Sequence, residues 1–235
     1  MSRAGVGDAP ARRAGAILRR LQATYPDARC SLDFTTPWEL LVATVLSAQC
    51  TDERVNAVAP GLFARFPDPA AFIEASQAEV AAAIHSTGFH NQKARALRGI
   101  AGVVLREYGG RVPRRLDQLV RLPGVGRKTA AVVSGNAFGR RDGIAVDTHV
   151  GRLARRLGLS AHPDPVRVEL DLATAVPRSA WTLVTHLLIA HGRAICRART
   201  PLCDACVLRD LCPYGLSHPG ADPARTVTTV RGAVP

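Results

Sequence analysis

Apolar residues recur with the period of an α-helix between breaks at proline and glycine, and this pattern constrains the fold most. The clearest helix start is the run Thr36-Pro37-Trp38-Glu39. There Thr36 can cap the helix, Pro37 suits its first position and Glu39 can complete a capping box. We expect a half-buried helix, because the apolar residues that follow form one stripe at helical spacing: Trp38, Leu41, Val42, Val45 and Leu46.

Other segments repeat the helical pattern. Ser76 and Glu79 form a second capping box, for a helix that should stop near Gly88, and a longer helix should run from about residue 91 to 108. β-Branched residues do not alternate with polar ones over any useful length, so strands are not expected. The sequence therefore predicts an all-α fold.

The charge balance favours a polyanionic partner. Lysine and arginine number 31 against 19 aspartate and glutamate, so the formal net charge is +12, which suits nucleic acid. A generally basic proteome is the alternative, because the arginines are spread over several segments. Lysine itself occurs only at Lys93 and Lys128. A lysine that persists in so arginine-rich a chain suggests a task that a guanidinium cannot do, such as forming a Schiff base.

The hydropathy pattern gives no sign of export or of a membrane span. The N-terminal segment lacks the apolar core of a secretory signal, and no apolar run reaches the length of a membrane span. We therefore expect an intracellular, cytoplasmic protein. In that compartment the six cysteines point to metal binding or catalysis more than to disulfides.

A glycine-rich hairpin joins two helical segments, in the run Leu122-Pro123-Gly124-Val125-Gly126-Arg127-Lys128-Thr129-Ala130. Proline ends the first helix, and the two glycines let the backbone approach another molecule closely. Amides at the start of the second helix would point outward with the positive end of the helix dipole behind them, which makes a phosphate site. An ordinary tight turn between helices is the alternative.

Lys128 is the candidate nucleophile of this hairpin. An amine attacks only in its neutral form, and the positive end of a helix is an unfavourable place for an ammonium ion. A basic residue in such a position is more commonly a phosphate contact. The residues alone therefore leave both roles open.

A single acidic residue precedes another amphipathic helix, in the run Ile144-Ala145-Val146-Asp147-Thr148-His149-Val150. Asp147 has the position of an N-cap. The same carboxylate, rigidly held, could stabilise a developing oxocarbenium ion or transfer protons. The two roles are compatible.

Four cysteines towards the C-terminal end have the spacing C-x6-C-x2-C-x5-C: Cys196, Cys203, Cys206 and Cys212. Structural zinc sites usually pair their ligands as two short hooks, and this run has only one, so an iron–sulfur cluster is favoured over zinc. Such a cluster would order a segment too short to have its own core. Cys30 and Cys50 lie outside the set and are expected to be buried or incidental thiols.

Five segments together resemble the endonuclease III family of DNA repair glycosylases, from about residue 14 to 215. They are LLVATVLSAQCTD, STGFHNQKA, LPGVGRKTA, VDTHVGR and the cysteine run. The resemblance implies a six-helix barrel over 30–139 that contains the helix-hairpin-helix motif. It also implies a discontinuous iron–sulfur domain over 13–29 and 140–215, with a DNA-binding cleft between the two domains. Residues 1–12 and 216–235 are expected to be flexible ends.

The resemblance also implies roles for individual residues. Lys128 matches the family's Schiff-base lysine, Asp147 its catalytic aspartate, and the four cysteines the ligands of a [4Fe-4S] cluster. Gln49 matches the glutamine that fills the gap left by a flipped-out nucleotide, and Phe89 replaces a wedge that is often leucine. Without the family, Gln49 is an exposed residue at a helix end and Phe89 a core residue. The other implied DNA contacts are Ser47, Asp52, Gly124, Val125, Gly126, Arg127, Thr129 and His149.

The implied activity is that of a bifunctional DNA glycosylase and AP lyase, acting as a monomer at the nucleoid. Its substrate would be duplex DNA with an oxidised pyrimidine, such as thymine glycol, or with an abasic site. The adenine-specific branch of the fold is less favoured, because it generally lacks this lysine. Two alternatives stay open: a pyrimidine-dimer glycosylase with the same lysine, and a non-enzymatic iron–sulfur module that binds DNA without covalent chemistry.

Overall fold

The computed structural model describes residues 5, 7 and 9–218. These residues form α-helices joined by short turns and single 3-10 turns, and no β-strand occurs among them. The all-α prediction is therefore confirmed. The helices are α1 (Pro10–Thr24), α2 (Pro37–Leu46), α3 (Asp52–Arg65), α4 (Pro69–Glu74), α5 (Gln77–Ala83), α6 (His90–Tyr108), α7 (Leu116–Leu119), α8 (Arg127–Phe138), α9 (Thr148–Arg156), α10 (Pro165–Ala175), α11 (Trp181–Ala194) and α12 (Pro213–Ser217).

The chain divides into two compact units. The continuous unit is Cys30–Ala145, and the split unit combines Met1–Arg29 with Val146–Pro235. The boundary falls after Ala145 because this residue still packs in the core of the continuous unit. The division at 139–140 expected from the sequence stays a prediction.

Helix α2 is the centre of the continuous unit. It packs against α3, α6 and α8. The expectation of a half-buried helix is wrong, because these neighbours cover most of its circumference and bury Leu40 and Ala43, which lie outside the predicted stripe. The predicted capping box is confirmed: the Glu39 amide donates to Thr36 Oγ1 at 3.2 Å, and the Thr36 amide donates to the Glu39 carboxylate at 3.3 Å.

The second predicted capping box begins α5. The Glu79 amide donates to Ser76 Oγ at 3.2 Å, and the Ser76 amide donates to Glu79 Oε2 at 2.9 Å. Helix α5 ends at Ala83, and a 3-10 turn over His85–Thr87 leads to Gly88 and then to α6. Helix α6 packs against α4 and α5 as well as α2.

The split unit consists of α1 and the helices from α9 onward. Helix α11 packs against both α1 and α9, and α10 packs against the same two helices. The expected flexible ends overlap regular structure, since residues 10–12 belong to α1 and residues 216–217 to α12. Pro10 suits the first position of a helix, which favours the earlier start. Residues 1–4, 6, 8 and 219–235 lie outside the described residues.

Among the described helices, none combines the length and the apolar character that crossing a membrane requires.

Candidate active site and metal centre

The glycine-rich hairpin is a tight turn directly before α8. The Val125 amide donates to the Leu122 carbonyl at 3.1 Å, and Gly124 has a φ of 75°. Proline followed by a glycine of positive φ is typical of a type II turn. Leu122 and Val125 are buried, so Val125, an expected DNA contact, can offer only its backbone. The Pro123-Gly124 tip is exposed.

Gly126 leaves the N-terminus of α8 open. It occupies the N-cap position, and no side chain caps the helix. Its φ of −79° is one that any residue adopts, and a Cβ added there would meet no protein atom within 4 Å. Nothing inside the protein therefore requires glycine here. Its effect is to leave space, with helix amides directed into it, for an anionic partner.

The first turn of α8 carries Lys128 on an exposed surface, between Arg127 and the partly buried Thr129. The positive charge of Lys128 interacts electrostatically with the thiol of Cys30. Burial is the main cause that raises the pKa of this thiol, the carboxylate of Asp52 raises it further, and Lys128 acts in the opposite direction. Lys128 and Asp52, both expected site residues, therefore both influence the thiol of Cys30 in the continuous unit.

Asp52 is held in place by residues that sequence reasoning missed. Ser31 Oγ donates to Asp52 Oδ2 at 2.5 Å. Asn56 in turn donates its side-chain amide to the Ser31 carbonyl at 2.8 Å. The only signal in the sequence is the one-turn spacing of Asp52 and Asn56 on α3, which puts both on one face.

Two turns of the continuous unit carry residues in the left-handed conformation. Gln49 has a φ of 53° and Phe89 a φ of 49°, and no other non-glycine residue that the structure describes has a positive φ. Such a conformation costs roughly 1–3 kcal/mol and is concentrated at functional sites. Phe89 is 59% exposed, so the alternative of a core residue is wrong. Ser47, another expected DNA contact, lies just before the Gln49 turn, and its hydroxyl donates to the Thr44 carbonyl at 2.9 Å.

Asp147 caps α9 in the split unit. Its Oδ1 accepts from the Val150 amide at 2.8 Å, and its Oδ2 lies 3.0 Å from His149 Nδ1. The His149 ring lies against α11 at Gly192, where an added Cβ would come within 3.2 Å of it. The predicted cap is confirmed, and the carboxylate is fixed by contacts to both oxygens.

The four spaced cysteines line one cavity of the split unit, whose free space, open mouth included, is about 370 Å³. In the part of the chain that the structure describes, no three or more His, Cys, Asp or Glu side chains are grouped to hold a metal ion. Four thiols on one cavity, of which only Cys203 and Cys206 form a short hook, suit an iron–sulfur cluster better than a zinc ion.

Two arginines of α9 fix the loop that begins at Cys196. Arg152 donates to the Cys196 carbonyl at 3.0 Å, and Arg156 donates to the carbonyls of Arg197 and Ala198 at 2.7 and 2.8 Å. Arg156 also approaches Cys196 Sγ at 3.3 Å. Their spacing by one helical turn was the available sequence signal, because it puts both on one face of α9.

The thiols lie in surroundings that disfavour their charged form. Burial raises the pKa of Cys206 to about 11, and it also raises the pKa of Cys203 and of Cys212. Iron is bound by thiolates, so cluster binding must displace these protons.

Comparison with known proteins agrees with this geometry. Residues 42–178 match the family described as HhH-GPD superfamily base excision DNA repair protein. Residues 196–212 match the iron–sulfur binding domain of endonuclease III. The fold and the site thus define a helical base excision repair protein with an iron–sulfur domain.

Individual proteins similar to this chain indicate one family within this class. Endonuclease III of Synechocystis sp. is 51% identical over 86% of this chain and 92% of its own length. Endonuclease III of Bacillus subtilis is 43% identical over 84% and 90%. A solved structure of a trapped endonuclease III–DNA covalent intermediate is 40% identical, with a TM-score of 0.83 over 88% of this chain and 97% of that one.

The chain belongs to the endonuclease III family. It is a DNA glycosylase and AP lyase of base excision repair, it binds DNA, and its cysteine-rich region holds a [4Fe-4S] cluster. A non-enzymatic binding module is therefore the wrong alternative.

Proposed function

We propose that Lys128 is the nucleophile that forms the Schiff base. The observation that carries this assignment is the contrast between the two lysines. Lys128 is exposed on the first turn of α8, whereas Lys93 is only 5% exposed and its amine donates to two backbone carbonyls. Of the two lysine amines, only that of Lys128 is accessible to a sugar.

The chemistry follows from an amine at that position. The Lys128 nitrogen attacks C1′ of the flipped nucleotide, the bond from C1′ to the base breaks, and the base leaves with a proton. The second amine proton moves to the ring oxygen as the bond from C1′ to that oxygen breaks, which gives an imine between Lys128 and C1′. The imine makes the C2′ proton acidic, and its removal expels the 3′ oxygen by β-elimination.

Asp147 is the proposed catalytic carboxylate. A carboxylate fixed by the Val150 amide and by His149 can stabilise the positive charge that develops on the sugar, or accept a proton from the attacking amine. It needs no reorganisation during the reaction, because the cap already holds it.

The hairpin is the proposed phosphate anchor. The amides after Gly126, with the exposed Arg127 beside them, would bind a backbone phosphate of the damaged strand. Gly124 supplies the turn that Pro123 begins, and Thr129 follows on the same first turn of α8. Contacts of this kind position the DNA without selecting a base.

Gln49 and Phe89 are the proposed probes of the duplex. An exposed amide and an exposed ring on tight turns suit a residue that fills the gap of a flipped nucleotide and a wedge that separates neighbouring bases. Ser47 and Asp52 flank the Gln49 turn and would lie near the extruded base. Phenylalanine in place of leucine makes the wedge flat and wide.

The proposed cluster ligands are Cys196, Cys203, Cys206 and Cys212. When bound, the cluster would hold this short segment in one conformation. Arg152 and Arg156 would keep the first ligand in position through its loop. We also propose the domain assignment that the family resemblance implies, with a six-helix barrel over 30–139 and an iron–sulfur domain over 13–29 and 140–215.

The proposed substrate is duplex DNA that carries an oxidised or ring-saturated pyrimidine, such as thymine glycol, or an abasic site. The support is membership of the endonuclease III family together with the nucleophilic lysine. We also propose that the enzyme acts as a monomer in the cytoplasm, at the nucleoid. A pyrimidine-dimer glycosylase of the same fold is the remaining candidate.

The test is single-turnover cleavage of duplexes that carry thymine glycol, a cyclobutane pyrimidine dimer or no lesion. We expect cleavage at thymine glycol, with a loss of about 1,000-fold or more in Lys128→Ala, as for removal of a nucleophile. Arg106→Ala removes an exposed positive charge from α6 and should cleave normally. Preferential cleavage at the dimer would reject the substrate assignment, and full strand cleavage by Lys128→Ala would reject the nucleophile.

A further inference from the structure

Lys93 is a buried ammonium group within the continuous unit. It lies in the first turn of α6, and its Nζ donates to the Leu46 carbonyl and to the Thr87 carbonyl, both at 2.8 Å. Burial lowers the pKa of Lys93. A buried charge is costly to keep unless its contacts offset the lost solvation. The hydrogen bonds to these two carbonyls are therefore what stabilises the ammonium group in this position.

Both carbonyls belong to the ends of helical segments. Leu46 is the last residue of α2, and Thr87 is the last residue of the 3-10 turn over His85–Thr87. Carbonyls at helix ends lack partners within the helix and carry its partial negative charge. One ammonium group therefore provides a hydrogen-bond donor to one terminal carbonyl of each of two separate segments.

These two segment ends lead directly into the two strained turns. Gln49 follows Leu46 by three residues, and Phe89 follows Thr87 by two. Gly88, between Thr87 and Phe89, has φ 71° and ψ 159°, a conformation essentially restricted to glycine. The Lys93 amide donates to the Phe89 carbonyl at 2.9 Å. The Lys93 ammonium is thus bonded to the residues that lead into both turns, and its backbone amide makes the first hydrogen bond of α6 with Phe89.

Lysine suits this place better than arginine. An ammonium group is compact, and its three donors rotate freely onto two carbonyls. A guanidinium is planar and wider, and its donors have a fixed fork geometry. This requirement explains why a chain with 29 arginines keeps a second lysine.

We propose that Lys93 is a positioning residue that ties the Gln49 turn to the Phe89 turn, so that both side chains meet the duplex in one fixed arrangement. The proposal rests on the assigned roles of Gln49 and Phe89 as probes of the duplex. Lys93 itself contacts neither DNA nor the reacting atoms. Its loss should impair steps that require a nucleotide to be extruded from a duplex.

Loss of Lys93 should affect double-stranded DNA more than single-stranded DNA. An abasic site in a single strand needs neither a wedge nor a gap filler, because no paired base has to be displaced. Lys93→Met keeps the length of the side chain and removes its charge. We expect it to lower β-elimination at an abasic site in a duplex by about 10-fold or more, the effect of losing a charge-assisted hydrogen bond. The rate on the same single strand should change by less than about 2-fold.

The experiment measures both rates and takes their ratio, duplex over single strand, which does not depend on the folded fraction of the preparation. Lys93→Arg is the second variant, and it should restore only part of the ratio. Val104→Ala, which truncates a fully buried residue of the same helix, is the control for destabilisation. It should lower stability and leave the ratio unchanged. An unchanged ratio in Lys93→Met, or an equal fall in Val104→Ala, would overturn the proposal.

A double-mutant comparison separates this inference from the function on which it rests. The Gln49→Ala, Phe89→Ala double variant should show the reduced ratio by itself, and adding Lys93→Met should change it by less than about 2-fold, because residues that act through one unit are not additive. If the double variant keeps the wild-type ratio, the assigned role of the probes is wrong. If it loses the ratio while Lys93→Met retains it, only the role of Lys93 is wrong.

Discussion

Replacing Asp147 separates its role as a helix cap from its role in catalysis. Asparagine caps helices as well as aspartate does, so Asp147→Asn keeps an acceptor for the Val150 amide and removes only the charge. Asp147→Ala removes both. We expect the two variants to lose base release alike, by about 100-fold or more, as for loss of a general acid–base group, and to differ in stability.

The size of the stability difference follows from the contacts. The hydrogen bond from the Val150 amide is 2.8 Å, and loss of an N-cap costs about 1 kcal/mol. The pair with His149 is partly exposed, at 18% for Asp147 and 30% for His149, so it adds about 0–1 kcal/mol. Asp147→Ala should therefore lose about 1–2 kcal/mol, with about 2–4 °C in Tm for each kcal/mol. Asp147→Asn keeps the cap and should lose only the contribution of the His149 pair, about 0–1 kcal/mol.

The assay combines thermal unfolding with single-turnover base release from a thymine glycol duplex. Asp164→Ala is the matched control, because Asp164 caps α10 by accepting from the Val166 amide at 2.8 Å. It should lose about 1 kcal/mol and keep full activity. Near-normal base release by Asp147→Asn would refute the catalytic role. A loss of stability in Asp147→Asn as large as in Asp147→Ala would refute the cap energetics.

Three further outcomes are expected. Gly126→Ser supplies a capping side chain to α8 and should raise stability by about a few tenths of a kcal/mol. Its side chain also fills the phosphate space and should weaken DNA binding in a filter or anisotropy titration; unchanged affinity would contradict this. Gln49→Gly relieves a left-handed residue and should keep or raise Tm while duplex cleavage falls; a lower Tm would contradict the strain. Burial lowers the pKa of His186 from 6.5 to about 4. Between these values the unfolded chain binds a proton that the folded chain does not, so stability should fall as pH decreases, by up to about 1.4 kcal/mol per pH unit. His186→Gln should lose that part of the slope in denaturant titrations, and an unchanged slope would exclude His186.

The helices were predictable because their signals are local. Capping boxes at Thr36 and Ser76 depend on residues three positions apart, and the cap by Asp147 depends on the next turn of the same helix. The turn at Gly124 is equally local, since proline and glycine fix its dihedral angles. The burial of α2 was not predictable in this way, because it depends on which distant helices cover its second face.

The arrangement around the probes was also beyond local reasoning. Sequence alone suggested a core position for Phe89, because an aromatic residue beside a helix is usually buried. The two carbonyls bound by Lys93 are 47 and 6 residues away along the chain, so no spacing rule connects them. What the sequence contained was the rarity of lysine, and that rarity indicated two special positions without separating their roles.

The most direct test of the central claim is to trap the covalent intermediate and locate it. The enzyme is mixed with a duplex that carries an abasic site, borohydride is added, and the adduct is digested and mapped by mass spectrometry. Attachment of the sugar to the peptide that contains Lys128, with no adduct in Lys128→Ala, is the predicted result. Attachment at Lys93 or at the amino terminus, or an undiminished yield from Lys128→Ala, would contradict it.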